Sequence, residues 1–311
     1  MSDMDEIQEL QKILKEDSSN LQARRQLAIL LLDNGFCEES LKQLLFLIGI
    51  FPEDASLYYN LGICYEKTQK LKLAEQAYLK AISISPEETD FYYNLGLVYI
   101  DENKLDDAIE AFQNVIKTDT KDENTYFNIG LCYTKKKDPI NAIEYYTKAI
   151  DLNDSDVFAH FYLGNHFKDL GQTDMALEEY QKVLSISPDY SWAYFNIGAI
   201  NFEQGDLDNA LKNLKRTIAL NPKDVEAYKI IAQILIKQND LQTAQHCIER
   251  AIKENQLEYD LYYVLAQIFK KQNDIGRYIK GLEIVLKNYK QTSYSPKAIK
   301  AELDKAKQNL K

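Results

Sequence analysis

Asparagine recurs in this chain at a fixed interval. Asn60, Asn94 and Asn128 stand 34 residues apart, and Asn196 falls two intervals further on, with Tyr162 at the place between. An aromatic precedes each of them (Tyr59, Tyr93, Phe127 and Phe195), and Phe161 and Tyr263 continue that second series. Asparagine is a poor former of helix interiors, so its recurrence there calls for a reason. Its amide offers a donor and an acceptor together, which matches one peptide unit of an extended ligand. Each such hydrogen bond adds about 0.5–1.5 kcal/mol net, so a ladder of them can fix a strand's register without reading its side chains. Further along, Phe158, Phe161, Tyr162, Asn165, Trp192, Phe195, Asn196 and Phe202 gather large rings beside amides, and Trp192 is the chain's single tryptophan. Rings of this kind, left unpacked, are the usual anchors of a protein interface. The competing reading is that the rings pack on one another across neighbouring units.

Covalent chemistry has no comparable signal. The phosphate-cradling, dinucleotide, nucleophile-elbow and zinc-protease motifs are all absent. His160 and His166 lie about 600° apart around a helix and so on different faces, and His246 stands alone. Cys37, Cys64, Cys132 and Cys247 form no close pair, which fits small packing residues better than a metal site or a disulfide framework. The sequence therefore predicts no enzyme, no metal and no cofactor.

The net charge is −11 and unevenly spread, −6 over residues 1–54 and +6 over residues 259–311. An acidic body disfavours nucleic acid as a ligand, while the basic end reads as a solvated helix face and leaves room for self-association. An acidic start without a secretion signal, and an apolar run (Leu44–Phe51) far shorter than the roughly 20 residues of a membrane span, predict a cytoplasmic protein with no membrane insertion.

The elements that must position these residues follow from the 34-residue period. From Leu21 the chain divides without insertion into 21–54, 55–88, 89–122, 123–156, 157–190, 191–224, 225–258 and 259–292. The seventh position is always Leu or Ile, and the eighth is Ala28, Gly62, Gly96, Gly130, Gly164, Gly198, Ala232 or Ala266. The twentieth is Ser or Ala except at Tyr278, which casts doubt on packing in the last unit. Two antiparallel helices approach closely where facing residues are small, and larger apolar residues fill the flanking grooves. Gly35, Gly171, Gly205, Asn103, Asn239 and Asn273 sit where a first helix must end in a left-handed turn. Asp138-Pro139 reads as the start of a second helix, and Pro52, Pro86, Pro188 and Pro222 close their units. The core then occupies positions four, seven, eight and eleven of the first helix. The opposite stripe is two, five, six, nine, twelve and thirteen, and it carries the asparagines and rings.

These residues resemble the tetratricopeptide repeat, displayed in 55–88 by Tyr58, Leu61-Gly62, Tyr65, Ala74, Tyr78 and Pro86. The resemblance implies an all-α, right-handed superhelical solenoid of antiparallel helix pairs whose first-helix stripe lines a concave groove. It further implies a non-catalytic scaffold that binds an extended peptide or partner segment there, with 157–202 as the main anchor. The asparagine series is similar to the ladder in the repeats of O-linked N-acetylglucosamine transferase. The alternative is a substrate-docking or regulatory subunit of a separate enzyme such as a glycosyltransferase. One branch of the family grips chaperone C-termini through Lys and Asn at positions five and nine. Here Arg25 is followed by Ile29 and Lys229 by Gln233, which disfavours that role. Residues 1–20 read as an N-terminal capping helix, so that the all-round apolar run Leu44–Phe51 is expected to be covered on both sides, and 293–311 read as a C-terminal solvating helix.

Overall fold

The computed structural model describes residues 2–308, and within them every regular element is helical. First helices are α2 (Leu21–Asp33), α4 (Ala55–Lys67), α6 (Thr89–Asp101), α8 (Glu123–Lys135), α10 (Val157–Asp169), α12 (Ser191–Gln204), α14 (Val225–Lys237) and α16 (Tyr259–Lys271). Their partners are α3 (Cys37–Ile50), α5 (Leu71–Ile84), α7 (Leu105–Thr118), α9 (Pro139–Leu152), α11 (Thr173–Ile186), α13 (Leu207–Leu220), α15 (Leu241–Glu254) and α17 (Ile275–Lys287). The ends are α1 (Asp3–Glu16), packed on α2, and α18 (Pro296–Gln308), packed on α17. The chain forms two compact units, Met1–Ala159 and His160–Lys311, each a stack of antiparallel pairs.

Side-chain caps start many of these helices. Asp54, Asp122 and Asp224 accept backbone hydrogen bonds at the starts of α4, α8 and α14, and Asp138, with Pro139 after it, does so for α9. Each first helix ends through a left-handed residue at the fifteenth position. Six are the expected glycines and asparagines, and two are Gln69 and Lys137 at φ 58° and 59°. The turn survives there without glycine because its hydrogen bonds persist: Lys70 N–H still reaches Tyr65 C=O at 2.8 Å, closing the end of α4.

The eighth position explains the pairing. A Cβ built on Gly96 would lie 2.6 Å from the Phe112 ring, and one on Gly130 would lie 2.9 Å from Tyr146. Gly62 and Gly164 face Tyr78 and Tyr180 in the same way. The glycine is therefore matched to the ring at position twenty-four. Where the eighth residue is Ala28, Ala232 or Ala266, position twenty-four holds aliphatic Leu44, Ile248 or Leu282. The small residue at position twenty closes the same contact, as Ser40 shows by donating its hydroxyl to Ala28 C=O at 2.7 Å.

Two expectations change. Tyr278 does not loosen the last unit: it is buried, and the close approach moves to Gly281, where a Cβ would meet that of Ala266 at 2.7 Å. The run Leu44–Phe51 is not covered on both sides. Leu44 and Leu47 are buried, but Leu45, Phe46, Ile50 and Phe51 remain exposed, because α3 packs on α2 and α4 and turns its far side to solvent. The Arg24 guanidinium covers part of that side, 3.9 Å from the centre of the Phe46 ring.

Two carboxylates fasten α18. Glu302 accepts from Tyr278 Oη and Gln267 Nε2, both at 2.9 Å, and from Tyr263 Oη at 3.1 Å. Asp260 accepts from Thr292 Oγ1 and Ser293 Oγ at 2.6 Å and from Ser293 N–H at 2.9 Å. Burial pushes both carboxyls up, but these donated bonds outweigh it and hold both below the ordinary carboxylate value. A depressed folded pKa contributes stability above the unfolded pKa of about 4, and that contribution is lost as pH falls through the folded value. Amide protection in α18 should thus fall on acidification below about pH 4 while α12–α15 stay protected, and Glu302→Gln should flatten that dependence. Hydrogen exchange measures both.

Helix propensity alone would make Gly96→Ala stabilising by about 1 kcal/mol. The fully buried Phe112 ring has nowhere to move, so overpacking should win and lower stability by about 1–3 kcal/mol in urea unfolding. Phe112→Leu in the same chain should recover most of that loss.

Candidate functional site

The asparagines turn first toward the protein itself. Asn94 Nδ2 donates to Tyr59 Oη at 2.9 Å and to Asp90 C=O at 3.0 Å, and Asn128 Nδ2 donates to Tyr93 Oη at 3.0 Å. Each bond joins position six of one unit to position five of the unit before it, 35 residues back. Burial, more than any neighbouring charge, pushes the hydroxyls of Tyr59 and Tyr93 up, so they stay neutral and able to accept. The rule explains its own exceptions. Asn60 follows Arg25, which has no acceptor, and its amide makes no hydrogen bond among the described residues. Asn196 follows Phe161, which has no hydroxyl; it accepts instead from Lys168 Nζ at 2.7 Å and donates to Trp192 C=O at 2.9 Å.

A full donor–acceptor pair facing a ligand is therefore not what Asn94, Asn128 and Asn196 present. Asn94 spends its donors, Asn196 spends both ends, and Asn128 and Asn196 are buried. Asn165 likewise accepts from Tyr180 Oη at 2.7 Å. Among the asparagines, Asn60 keeps its whole amide.

The aromatic series also divides. Tyr59 lies tilted against Phe91 at 5.0 Å, Tyr93 meets Phe112 at 5.7 Å, and Phe127 meets Tyr146 at 5.5 Å. Phe161 lies 5.2 Å from Tyr190, 6.0 Å from Tyr180 and 6.1 Å from Tyr162. Phe195 and Phe202 lean on the core of the second compact unit. The expectation of a wholly unpacked patch is thus narrowed. Two rings stand well out, Phe158 at 58% exposure in the first unit and Trp192 at 54% in the second. Sequence reasoning passed over Lys168 and Lys237, at positions twelve and thirteen; the latter lies 4.5 Å from the centre of the Phe202 ring.

Of the remaining reactive groups His246 is exposed and Cys247 half-buried, and the others are built into the core. His160 Nδ1 lies 2.6 Å from Glu179 Oε2, and both His160 and His166 are buried. Burial pushes the thiols of Cys64 and Cys247 up to about 11 and that of Cys132 up to about 12, which leaves them protonated and inert. Among the described residues no cluster of three or more His, Cys, Asp or Glu could hold a metal, and no helix is long and apolar enough to cross a membrane.

The repeat itself matches known families. The tetratricopeptide repeat matches at 55–88, 77–110, 124–156 and 201–268, and the TPR repeat at 96–137 and 164–205. The chain belongs to the tetratricopeptide-repeat family. Solved tetratricopeptide-repeat structures share the fold. MamA is 28% identical over 53% of this chain and 97% of its own, with a TM-score of 0.51. YrrB, described as a TPR protein with an unusual peptide-binding site, is 24% identical over 59% of this chain and 95% of its own, with a TM-score of 0.52. The C-terminal part of a TPR repeat-containing protein from Cytophaga hutchinsonii is 20% identical over 73% and 94%, with a TM-score of 0.66. No curated protein matches the chain significantly.

If the Tyr–Asn bonds hold neighbouring units together, Tyr93→Phe should cost about 1 kcal/mol. A double-mutant cycle with Asn128→Ala should then show a coupling of about 0.5–1.5 kcal/mol in chemical unfolding.

Proposed function

We propose that this protein is a non-catalytic interaction scaffold that holds an extended peptide or partner segment along its first-helix stripe. Residues 157–202 supply the main anchor, and Tyr59, Asn60, Tyr93, Asn94, Phe127 and Asn128 are further candidate contacts within the first compact unit. The observation that carries the reading is Trp192, a large ring more than half exposed at the second position of α12. Leaving such a ring in water forgoes burial that a partner recovers, on the order of 2 kcal/mol for an interface tryptophan. The likeness to YrrB, whose description names a peptide-binding site, supports the same reading. Four free cysteines suit a reducing compartment, and we place the protein in the cytoplasm.

The division between packed and exposed groups sets the test. Trp192→Ala should leave the helical circular dichroism unchanged and weaken partner binding by about thirtyfold. Asn60→Ala, which breaks no internal bond, should weaken it by a smaller factor. Tryptophan emission should shift when a partner captured from native extract is added to saturation. A partner retained undiminished by the folded Trp192→Ala chain contradicts the proposal.

A further inference from the structure

A groove between α13 and α15, floored by α14, holds two cations without partners. Its volume is about 300 Å³, at the small end of ligand clefts, which run from roughly 300 to 1,000 Å³. Tyr228, Ile231 and Leu235 of α14 line it together with Ile218 of α13, and all four are buried. Lys215 stands on the α13 wall and Arg250 on the α15 wall, both exposed. Neither makes an ion pair or a hydrogen bond among the described residues. The two converge: burial holds the Cys247 thiol in the same groove up at about 11, and the charges of Arg250 and Lys215 both oppose it. The Tyr228 hydroxyl is buried as well and has no hydrogen-bond partner among the described residues. Leaving such a group unbonded is costly, and an acceptor brought by a ligand removes the cost.

The carboxylates nearby do not cancel these cations. None lines the groove. Glu249 opens onto the next groove, with Tyr262 and Leu265 of α16, and accepts from Gln245 Nε2 at 2.8 Å. Glu254, one turn beyond Arg250, is exposed and forms no ion pair with it. Burial pushes the Tyr228 hydroxyl up, and among the neighbouring charges Arg250, which opposes that shift, outweighs Glu254. Over the whole of α13 and α15, five Lys and Arg stand against three Asp and Glu.

The repeat supplies its own comparison. Four repeats earlier, in the first compact unit, the matching groove between α5 and α7 encloses about 220 Å³. Leu79 and Asn114 occupy there the places of Lys215 and Arg250, and Asp107 and Glu110 those of Thr243 and His246. Tyr99 stands in the place of the smaller Leu235. The same helix packing thus makes an acidic groove in one unit and a roomier, basic one in the other, so side chains alone set the sign.

We infer that the groove between α13 and α15 binds a small organic anion with an apolar body, the size of a medium-chain carboxylate. Lys215 and Arg250 hold the carboxylate from the two walls, the Tyr228 hydroxyl donates to it, and the apolar chain lies on Ile218, Ile231 and Leu235. The groove shares no residue with the first-helix stripe and is independent of what that stripe binds.

Octanoate, its neutral isostere octanamide, and acetate are titrated into the full chain at physiological salt by isothermal calorimetry. Octanoate should bind about tenfold more tightly than octanamide, through charge-assisted hydrogen bonds, and acetate should show no heat of binding because it lacks the apolar body. Lys215→Met with Arg250→Met should erase the advantage of octanoate and leave octanamide unchanged. Tyr228→Phe should weaken octanoate by about fivefold without lowering the melting temperature, since that hydroxyl makes no internal bond. Trp192→Ala should bind octanoate as the native chain does. Equal affinity for octanoate and octanamide, octanoate binding undiminished in the double Met variant, or no binding of octanoate at all would each overturn the inference.

Discussion

The close approach of two helices within each unit is the contact on which the rest of the structure depends. Where Gly96 meets Phe112, a helix backbone lies against the face of a buried ring, and no atom fits between them. That contact fixes the distance and rotation of the first helix against the second. With the rotation fixed, positions three, seven, eight and ten face inward, whereas position four, expected in the core, is buried only at His160 and Tyr228; position two stays exposed except at Asp260, and position six is buried at Asn128 and Asn196. The exchange of Gly with a ring for Ala with Leu or Ile preserves the combined volume. Gly198 against Leu214 is the intermediate case, and its 2.8 Å approach is to a side chain more easily displaced than a ring.

Once the first helices are oriented, the polar groups of their outer stripe are spent in two ways, divided by residue. Tyr59, Asn94, Tyr93 and Asn128 spend their polar groups on bonds between successive units. In a repeat protein such neighbour-to-neighbour terms carry most of the cooperativity, because each unit touches only those beside it. The bonds stop where position five loses its hydroxyl. At Phe161 the partner asparagine, Asn196, is released from the ladder and orients Lys168 instead. Loss of one hydroxyl thus converts a structural rung into part of a charged, aromatic surface next to Trp192.

Most of the fold was legible in the sequence because repeat packing is local. A small residue at the eighth position and Leu or Ile at the seventh report a contact made within 34 residues, and the glycine and asparagine turns report the left-handed φ that they adopt. Gln69 and Lys137 were not legible, since nothing in their side chains favours φ near 60° and the backbone bonds of the turn impose it. The covered side of Tyr278 was hidden too, because its partner Glu302 lies outside the repeat frame. The stripe's chemistry was only partly legible, and Asn128 and Asn196 on it are buried. A tyrosine and an asparagine 35 residues apart are a signal for a bond between units, visible in Tyr59–Asn94 and Tyr93–Asn128. Each residue taken alone looks ligand-facing. Lys168 and Lys237 escaped notice because a lysine near a helix end is usually solvated, and only the amide and ring beneath them show otherwise.

In the proposed role first helices serve recognition and second helices packing, and one measurement separates these most directly. Hydrogen–deuterium exchange, followed with and without a saturating bound peptide, reports which helices the ligand covers. New protection should concentrate in α10, α12 and α14, with α11, α13 and α15 unchanged. Protection centred on α11, α13 and α15, with the stripe around Trp192 unaffected, would contradict it.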